Sequence, residues 1–177
     1  MILNRNSLLV AAPIKNMLDH KISNGVVTSG MSEAGYDIRI KQTVRFMPIA
    51  NQNSMSVLMY STMDMSSLFS SEHGNFALAS SIEEFQMPDN LTGIVHDKSS
   101  WARKGLSVFN TVIEPGWKGF LTLELVYFGS EELVIPAGSG IAQVIFHQNT
   151  DICSYDGRYQ NQPDCPVAAT NSKEYLC

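Results

Sequence analysis

The chain has 177 residues, of which 44% are apolar and 16% charged, and its net charge at neutral pH is -5. That length holds one domain with a real hydrophobic core and leaves little room for a second, so 1–177 is read as a single domain. The apolar content excludes a disordered chain, and the negative charge excludes broad electrostatic binding to DNA or RNA, which takes a basic face to displace counterions from phosphates.

In the opening stretch "MILNRNSLLVAAPIKNMLDHK", apolar residues at Leu8, Leu9, Ile14, Met17 and Leu18 are interrupted by Pro13. The pattern predicts one or two short helical turns lying as an appendage to the core. The stretch lacks the basic start, continuous apolar centre and small-residue cleavage site of a secretion signal, and no run reaches the length of a membrane span. A cytoplasmic protein without a membrane partner is expected.

From Tyr36, "YDIRIKQTVRFMPI" alternates apolar and polar residues as a half-buried strand does, and "MSVLMYS", "NFALASS" and "LTGIVHD" repeat the pattern. Further on, "LSVFNTVIE", "GFLTLELVYF", "EELVIP" and "GIAQVIFHQ" are β-rich runs divided by "PGWKG", "GSE" and "AGSG". Many short strands with little helix predict a mainly antiparallel β barrel or sandwich. After His147 the periodicity fades into a polar tail, 148–177, which is either a frayed end or a flap whose "YDGRYQNQ" supplies Tyr, Arg and Gln donors to a ligand.

Three cysteines, Cys153, Cys165 and Cys177, are an odd number without a secretion signal and are read as reduced thiols. The four histidines, His20, His73, His96 and His147, show no H-x-x-x-H or H-x-E spacing, and no C-x-x-C pair accompanies them. A zinc deaminase needs both, so no zinc is expected and no metal ligands are assigned.

Three segments carry candidate chemistry. In "HDKSSWARKGL", Ser99 and Arg103 are four apart, which puts them on one face of a helical turn, with Lys98 and Ser100 beside its start. This is either an anion cradle or a solvated helix end. In "GFLTLELVYF", alternation places Leu121, Leu123 and Leu125 on one side and Thr122, Glu124 and Val126 on the other. Glu124 is then either a desolvated carboxylate with a raised pKa, suited to moving protons, or a water-facing one. Glu114 precedes the tight turn at Pro115-Gly116, and its ten-residue separation from Glu124 decides nothing by itself.

Taken in order, "SEAGYDIRI", "HDKSSWARKGL", "TVIEPGWKGFLTLEL" and "PAGSGIAQVIF" resemble the motifs of the dCTP deaminase and dUTPase superfamily. The deaminase branch is nearest, with patterns R-S-S-L-A-R-x-G, I-D-P-G-[WF]-x-G-x-[IV]-T-L-E and P-G-x-x-I-[GA]-Q. The resemblance implies a distorted jelly-roll-like β barrel of the dUTPase-like type with short N-terminal helices. It also implies homotrimers with active sites between subunits, closed by the C-terminal segment 148–177.

It implies a zinc-independent deamination of dCTP to a deoxyuridine nucleotide for dTTP precursor supply, with Mg2+ carried by the triphosphate. Glu124 matches the catalytic glutamate, Ser99 the serine that helps hold the water and Arg103 the arginine that fixes the glutamate. Lys98 and Ser100 fall on triphosphate-contacting positions, Gln143 near the α-phosphate, and Tyr155, Arg158 and Gln162 in the closing segment. Trp101, Ala102, Asn110, Glu114, Thr122 and Leu123 complete the implied substrate contacts.

The chain departs from the pattern at several positions. Lys98 replaces an arginine, giving a point charge in place of a fork. Glu114 replaces an aspartate, displacing its carboxylate by about 1.5 Å, and a misplacement on the order of 1 Å costs roughly a hundredfold in rate. The hairpin between Arg103 and Glu114 is two residues short of the typical deaminase, so Phe109, Asn110 and Thr111 meet base-reading positions across a gap. Tyr127-Phe128 replaces Tyr-Asn. The F-G-S-T-G ending of dUTPases is missing, "RYQNQ" resembles the deaminase ending, and dUTPases lack a glutamate at position 124. A bifunctional enzyme releasing dUMP, a dUTPase and a non-catalytic nucleotide-binding regulator are the alternatives.

Overall fold

Strand formation follows the alternating runs, and β strands are the dominant regular structure of the chain. The structure is a computed structural model. It describes residues 1–23, 27–50, 52, 54–61, 67–71 in backbone only, and 74–169. His73, Cys177 and the end of the tail beyond 169 lie outside the described residues.

In chain order the elements are β1 (Ile2–Leu3), α1 (Arg5–Ala11), β2 (Lys21–Ile22), β3 (Ser29–Met31), β4 (Tyr36–Arg39), β5 (Thr43–Pro48), β6 (Met55–Tyr60), β7 (Ser67–Ser71) and β8 (Phe76–Gln86). They continue with β9 (Leu91–Asp97), α2 (Ser99–Ala102), β10 (Leu106–Val108), β11 (Val112–Ile113), β12 (Lys118–Tyr127), β13 (Leu133–Ile135) and β14 (Gly140–Gln148). The mainly-β expectation is borne out, with one short N-terminal helix.

The strands divide into three antiparallel sheets. One runs β11-β9-β14-β4-β3-β2 with β1 also on β14, the second β10-β12-β8, and the third β13-β5-β6-β7. Two predicted runs are each split between sheets. "YDIRIKQTVRFMPI" breaks at Gln42, whose side-chain amide exchanges two hydrogen bonds of 2.9 Å with Ser80 and so turns the chain from β4 into β5. "LSVFNTVIE" breaks at Asn110, between β10 on β12 and β11 on β9.

The core sits between the sheets around Tyr36, Phe46, Phe85, Phe146, Leu123 and Leu125. The rings of Phe46 and Tyr127 lie 5.4 Å apart and those of Phe85 and Trp117 5.9 Å apart, in tilted contacts that add to their burial. Glu83 is buried in this core, and its carboxylate accepts hydrogen bonds from the backbone N–H and the Nε of Arg39, each at 2.7 Å. Desolvation pushes the Glu83 carboxyl up, with Arg39 pulling against it.

Three expectations are corrected. The N-terminal stretch is part of the core: Leu8 and Ile14 are fully buried, and Lys15 N–H donates to the Glu84 carbonyl at 2.9 Å. Leu8 is the buried face of the short helix α1, while beyond Pro13 Ile14 bridges Phe85 of β8 from irregular backbone, so no single helical period runs through the stretch. Cys165 is in a disulfide, while Cys153 is free and exposed. Third, Leu121 does not share a face with Leu123 and Leu125. The β8/β12 register shifts between Phe120 and Thr122, and Leu121 turns towards the same cavity as Glu124.

Candidate active site

Glu124 stands in the middle of β12, directly opposite Leu78 of β8. On its face the two strands, the 109–114 segment and the tail enclose a cavity of about 660 Å³. The Glu124 carboxylate makes no hydrogen bond or ion pair among the described residues, and desolvation by its surroundings raises its pKa above the usual carboxylate value of 4.5. The side chain is partly buried, between the two sequence readings, with desolvation the cause of the raised pKa.

The walls are largely apolar, from Phe76, Leu78, Val95, Ile113 and Trp117. Polar groups converge from Asn110, Glu114, Thr122, Tyr155 and Gln162, so six of the sequence-predicted residues, counting Glu124, share this cavity. Asn110 is committed to the strand beside it. Its Nδ2 donates to the Thr122 carbonyl at 2.6 Å, and its Oδ1 accepts from the Glu124 N–H at 3.0 Å. Glu114 is exposed at the mouth.

The described part of the tail is seated on the cavity. Tyr155 N–H donates to the Pro115 carbonyl at 2.8 Å, Trp117 Nε1 to the Tyr159 carbonyl at 2.6 Å, and Phe120 N–H to the Gln162 carbonyl at 3.1 Å. Thr122 is the inner fastening: its hydroxyl donates to Gln162 Oε1 at 3.1 Å and accepts from Val167 N–H at 3.0 Å. The approach is so close that a Cβ on Gly119, whose φ is +128°, would lie 2.5 Å from the Gln162 nitrogen. The described part of the tail, to residue 169, is thus packed against the body and not frayed.

The other predicted residues lie elsewhere in this chain. None of Lys98, Ser99, Ser100, Trp101, Ala102 and Arg103 lines the cavity, and neither do Leu123, Gln143 or Arg158. Ser99 to Ala102 form the single turn α2, followed by Arg103, with Ser99, Ser100, Ala102 and Arg103 exposed. Trp101 is buried and donates Nε1–H to the Gly140 carbonyl at 2.7 Å. Lys98 is paired with Asp37, and Gln143 donates from Nε2 to Ser32 Oγ at 2.8 Å. The Leu123 side chain is fully buried on the core side of β12. Arg158 is exposed on the tail.

Sequence reasoning missed Trp117, Tyr159 and Val167, which line the cavity. Trp117 sits inside the quoted turn "PGWKG", and an aromatic beside two turn glycines is the signal that marked it. Among the described residues no group of three His, Cys, Asp or Glu is arranged to hold a metal ion, and no helix is long and apolar enough to cross a membrane.

A family model described as dCTP deaminase-like matches residues 8–149, a span that contains β12 with Glu124, α2 and every strand but β1. The chain belongs to this dCTP deaminase-like family. It is similar to the dCTP deaminase of Wolbachia sp. subsp. Brugia malayi, with 36% identity over 161 residues, 84% of this chain and 85% of the relative. It is also 36% identical over 160 residues to the dCTP deaminase of Campylobacter jejuni, with the same coverage of each chain. Among solved structures, the 2'-deoxycytidine 5'-triphosphate deaminase from Agrobacterium tumefaciens matches with a TM-score of 0.52 and 17% identity over 84% of this chain and 48% of that one. That likeness supports the fold. The cavity lies at the "TVIEPGWKGFLTLEL" segment, which supplies both its floor and the turn on which the tail rests.

Proposed function

We propose that the chain is a dCTP deaminase that converts dCTP and water to dUTP and ammonia, with Glu124 carrying the protons. The observation that supports this most is a carboxylate of raised pKa, unpartnered, in the cavity of a chain from the dCTP deaminase-like family. Glu124 takes a proton from water as the oxygen bonds to C4 of cytosine, and passes that proton to N3. It then takes the remaining hydroxyl proton and gives it to the amino group. The C4–N4 bond breaks, ammonia leaves and a C4 carbonyl remains. A carboxyl whose pKa is raised by desolvation suits both transfers.

Among the described residues no cation lines the cavity, and Arg103 of this chain is exposed and unpaired. We therefore place Ser99 and Arg103 of the partner subunit over Glu124 in a homotrimer, which supplies the missing charge. Lys98, Ser100, Gln143 and Arg158 serve the triphosphate and its Mg2+. Trp101, Ala102, Asn110, Glu114, Thr122 and Leu123 shape the base and sugar end, and Tyr155 and Gln162 close it. The nucleotide substrate puts the enzyme in the cytoplasm.

The test is product analysis with purified protein, dCTP and magnesium. Ammonia and dUTP are expected from the wild type, with Glu124→Gln binding dCTP but releasing no ammonia. Ammonia release by Glu124→Gln at the wild-type rate would refute the assignment, and dUMP as the direct product would add a diphosphate hydrolysis to it.

A further inference from the structure

A second polar group is built across the seven-stranded sheet, away from the cavity. Gly30, Asp37, Gln143 and His96 are register neighbours on β3, β4, β14 and β9, so they form one row on a single face. Lys98 follows β9 and brings its ammonium to Asp37 Oδ2 at 2.5 Å. The pair is buried, with side-chain exposures of 11% for Lys98 and 3% for Asp37. Asp37 Oδ1 is buried too and has no hydrogen-bond partner among the described residues.

Buried carboxylate oxygens are normally satisfied, so an orphan at this depth calls for an explanation. The pairing also has a mechanical side. The Lys98 carbonyl accepts the N–H groups of Trp101 and Ala102 at 2.9 and 3.0 Å, and Trp101 is itself held on the Gly140 carbonyl. Anchoring the Lys98 side chain therefore fixes the residue from which α2 starts, and with it the direction of Ser99, Ser100 and Arg103. A lysine on its flexible stem has no preferred direction of its own, and it fills one lobe of a carboxylate where a guanidinium fills two.

We infer that Asp37 is a positioning residue for the triphosphate end of the site: it holds the Lys98 ammonium, and its free oxygen marks room for a second donor from position 98. The inference rests on the proposed dCTP reading. Asp37 touches neither the base nor the reacting carbon; it acts through Lys98.

The experiment measures binding of inorganic triphosphate and of deoxycytidine by calorimetry, together with kcat and KM for dCTP, in the wild type, Asp37→Asn, Lys98→Arg and the double variant. Asp37→Asn is expected to weaken triphosphate binding and raise KM about tenfold, the weight of one charged hydrogen bond, with deoxycytidine binding and kcat held within about twofold. Lys98→Arg, reaching both oxygens, is expected to tighten triphosphate several-fold, and this gain disappears in the double variant.

Equal weakening of deoxycytidine and triphosphate by Asp37→Asn would overturn the inference, since that is a fold-wide effect. Tighter triphosphate binding would also overturn it, because Asp37 would then merely cancel the Lys98 charge. An Arg gain that persists without Asp37 does the same. If Asp37→Asn does not fold, Lys98→Arg alone decides: unchanged or weaker triphosphate binding refutes the free-oxygen reading. Binding is read apart from turnover, so a wild type that binds triphosphate yet leaves dCTP unchanged removes the deaminase reading and not this one.

Discussion

Asn110 grips β12 on either side of Leu123, immediately before the Glu124 side chain, donating to the Thr122 carbonyl and accepting the Glu124 N–H. Both ends of its amide are used, and aspartate would set a second oxygen against the Thr122 carbonyl. Asn110→Asp is expected to lose about 1–3 kcal/mol of stability, the penalty of an unmade buried hydrogen bond, and to lower kcat by displacing Glu124. Thermal unfolding and steady-state kinetics check this; an unchanged kcat would show that the clamp does not serve the glutamate.

The pH dependence follows from Glu124. Its folded pKa is raised above its unfolded value, so the protonated form is favoured in the fold, and its contribution to stability is lost as pH rises from about 4.5 through the folded pKa. Glu124→Gln escapes that loss. Its melting temperature is expected to exceed the wild type's by about 1 °C at pH 8, a small shift because the side chain is half-exposed and water screens it, and to match it below pH 4. Catalysis has the opposite sign: kcat/KM falls as pH drops through the raised pKa, because a protonated Glu124 accepts nothing.

Thr122 fastens the tail through both roles of its hydroxyl. Thr122→Val keeps the shape and removes both bonds. Hydrogen exchange at the Val167 amide is expected to accelerate, and KM for the nucleotide to rise about tenfold, with the melting of the β core nearly unchanged. Gly119→Ala does the same from the other side, by placing a methyl against Gln162. Unaltered exchange in both variants would show that the tail is held by something else.

Glu83 and Arg39 join β8 to β4 through a buried pair that satisfies both carboxylate oxygens. Arg39→Ala leaves that charge buried without its partner and is expected to destabilise the fold by about 3 kcal/mol in urea titration. Arg39→Met is milder only if the protonated Glu83 is tolerated, which lower pH would reveal as a narrowing difference from wild type.

Where alternation ran unbroken, the elements were legible: β9 and β14 coincide with "LTGIVHD" and "GIAQVIFHQ". Strands β1, β2 and β3 were not, because two or three residues carry no period and their pairing is decided by distant partners. The breaks at Gln42 and Asn110 escaped for a related reason, since each is a side chain bonded to backbone or hydroxyl groups brought near only by the fold. The alternation put Glu124 on a strand but left it either desolvated or water-facing; the family resemblance alone singled it out. Trp117, Tyr159 and Val167 belong to the site through the tail's return over β12, and no local pattern encodes a return.

The separation of α2 from the cavity of its own chain has a genetic consequence. In the proposed trimer, a polypeptide with a defective glutamate would still lend its helical turn to a neighbour, and one with a defective arginine would still offer its glutamate. Two alleles, each inactive alone, would then complement within mixed assemblies, with about a quarter of the sites drawing an intact half from each parent. Complementation of Glu124→Gln by Arg103→Ala in one cell would be the heritable sign of a site that no single chain owns.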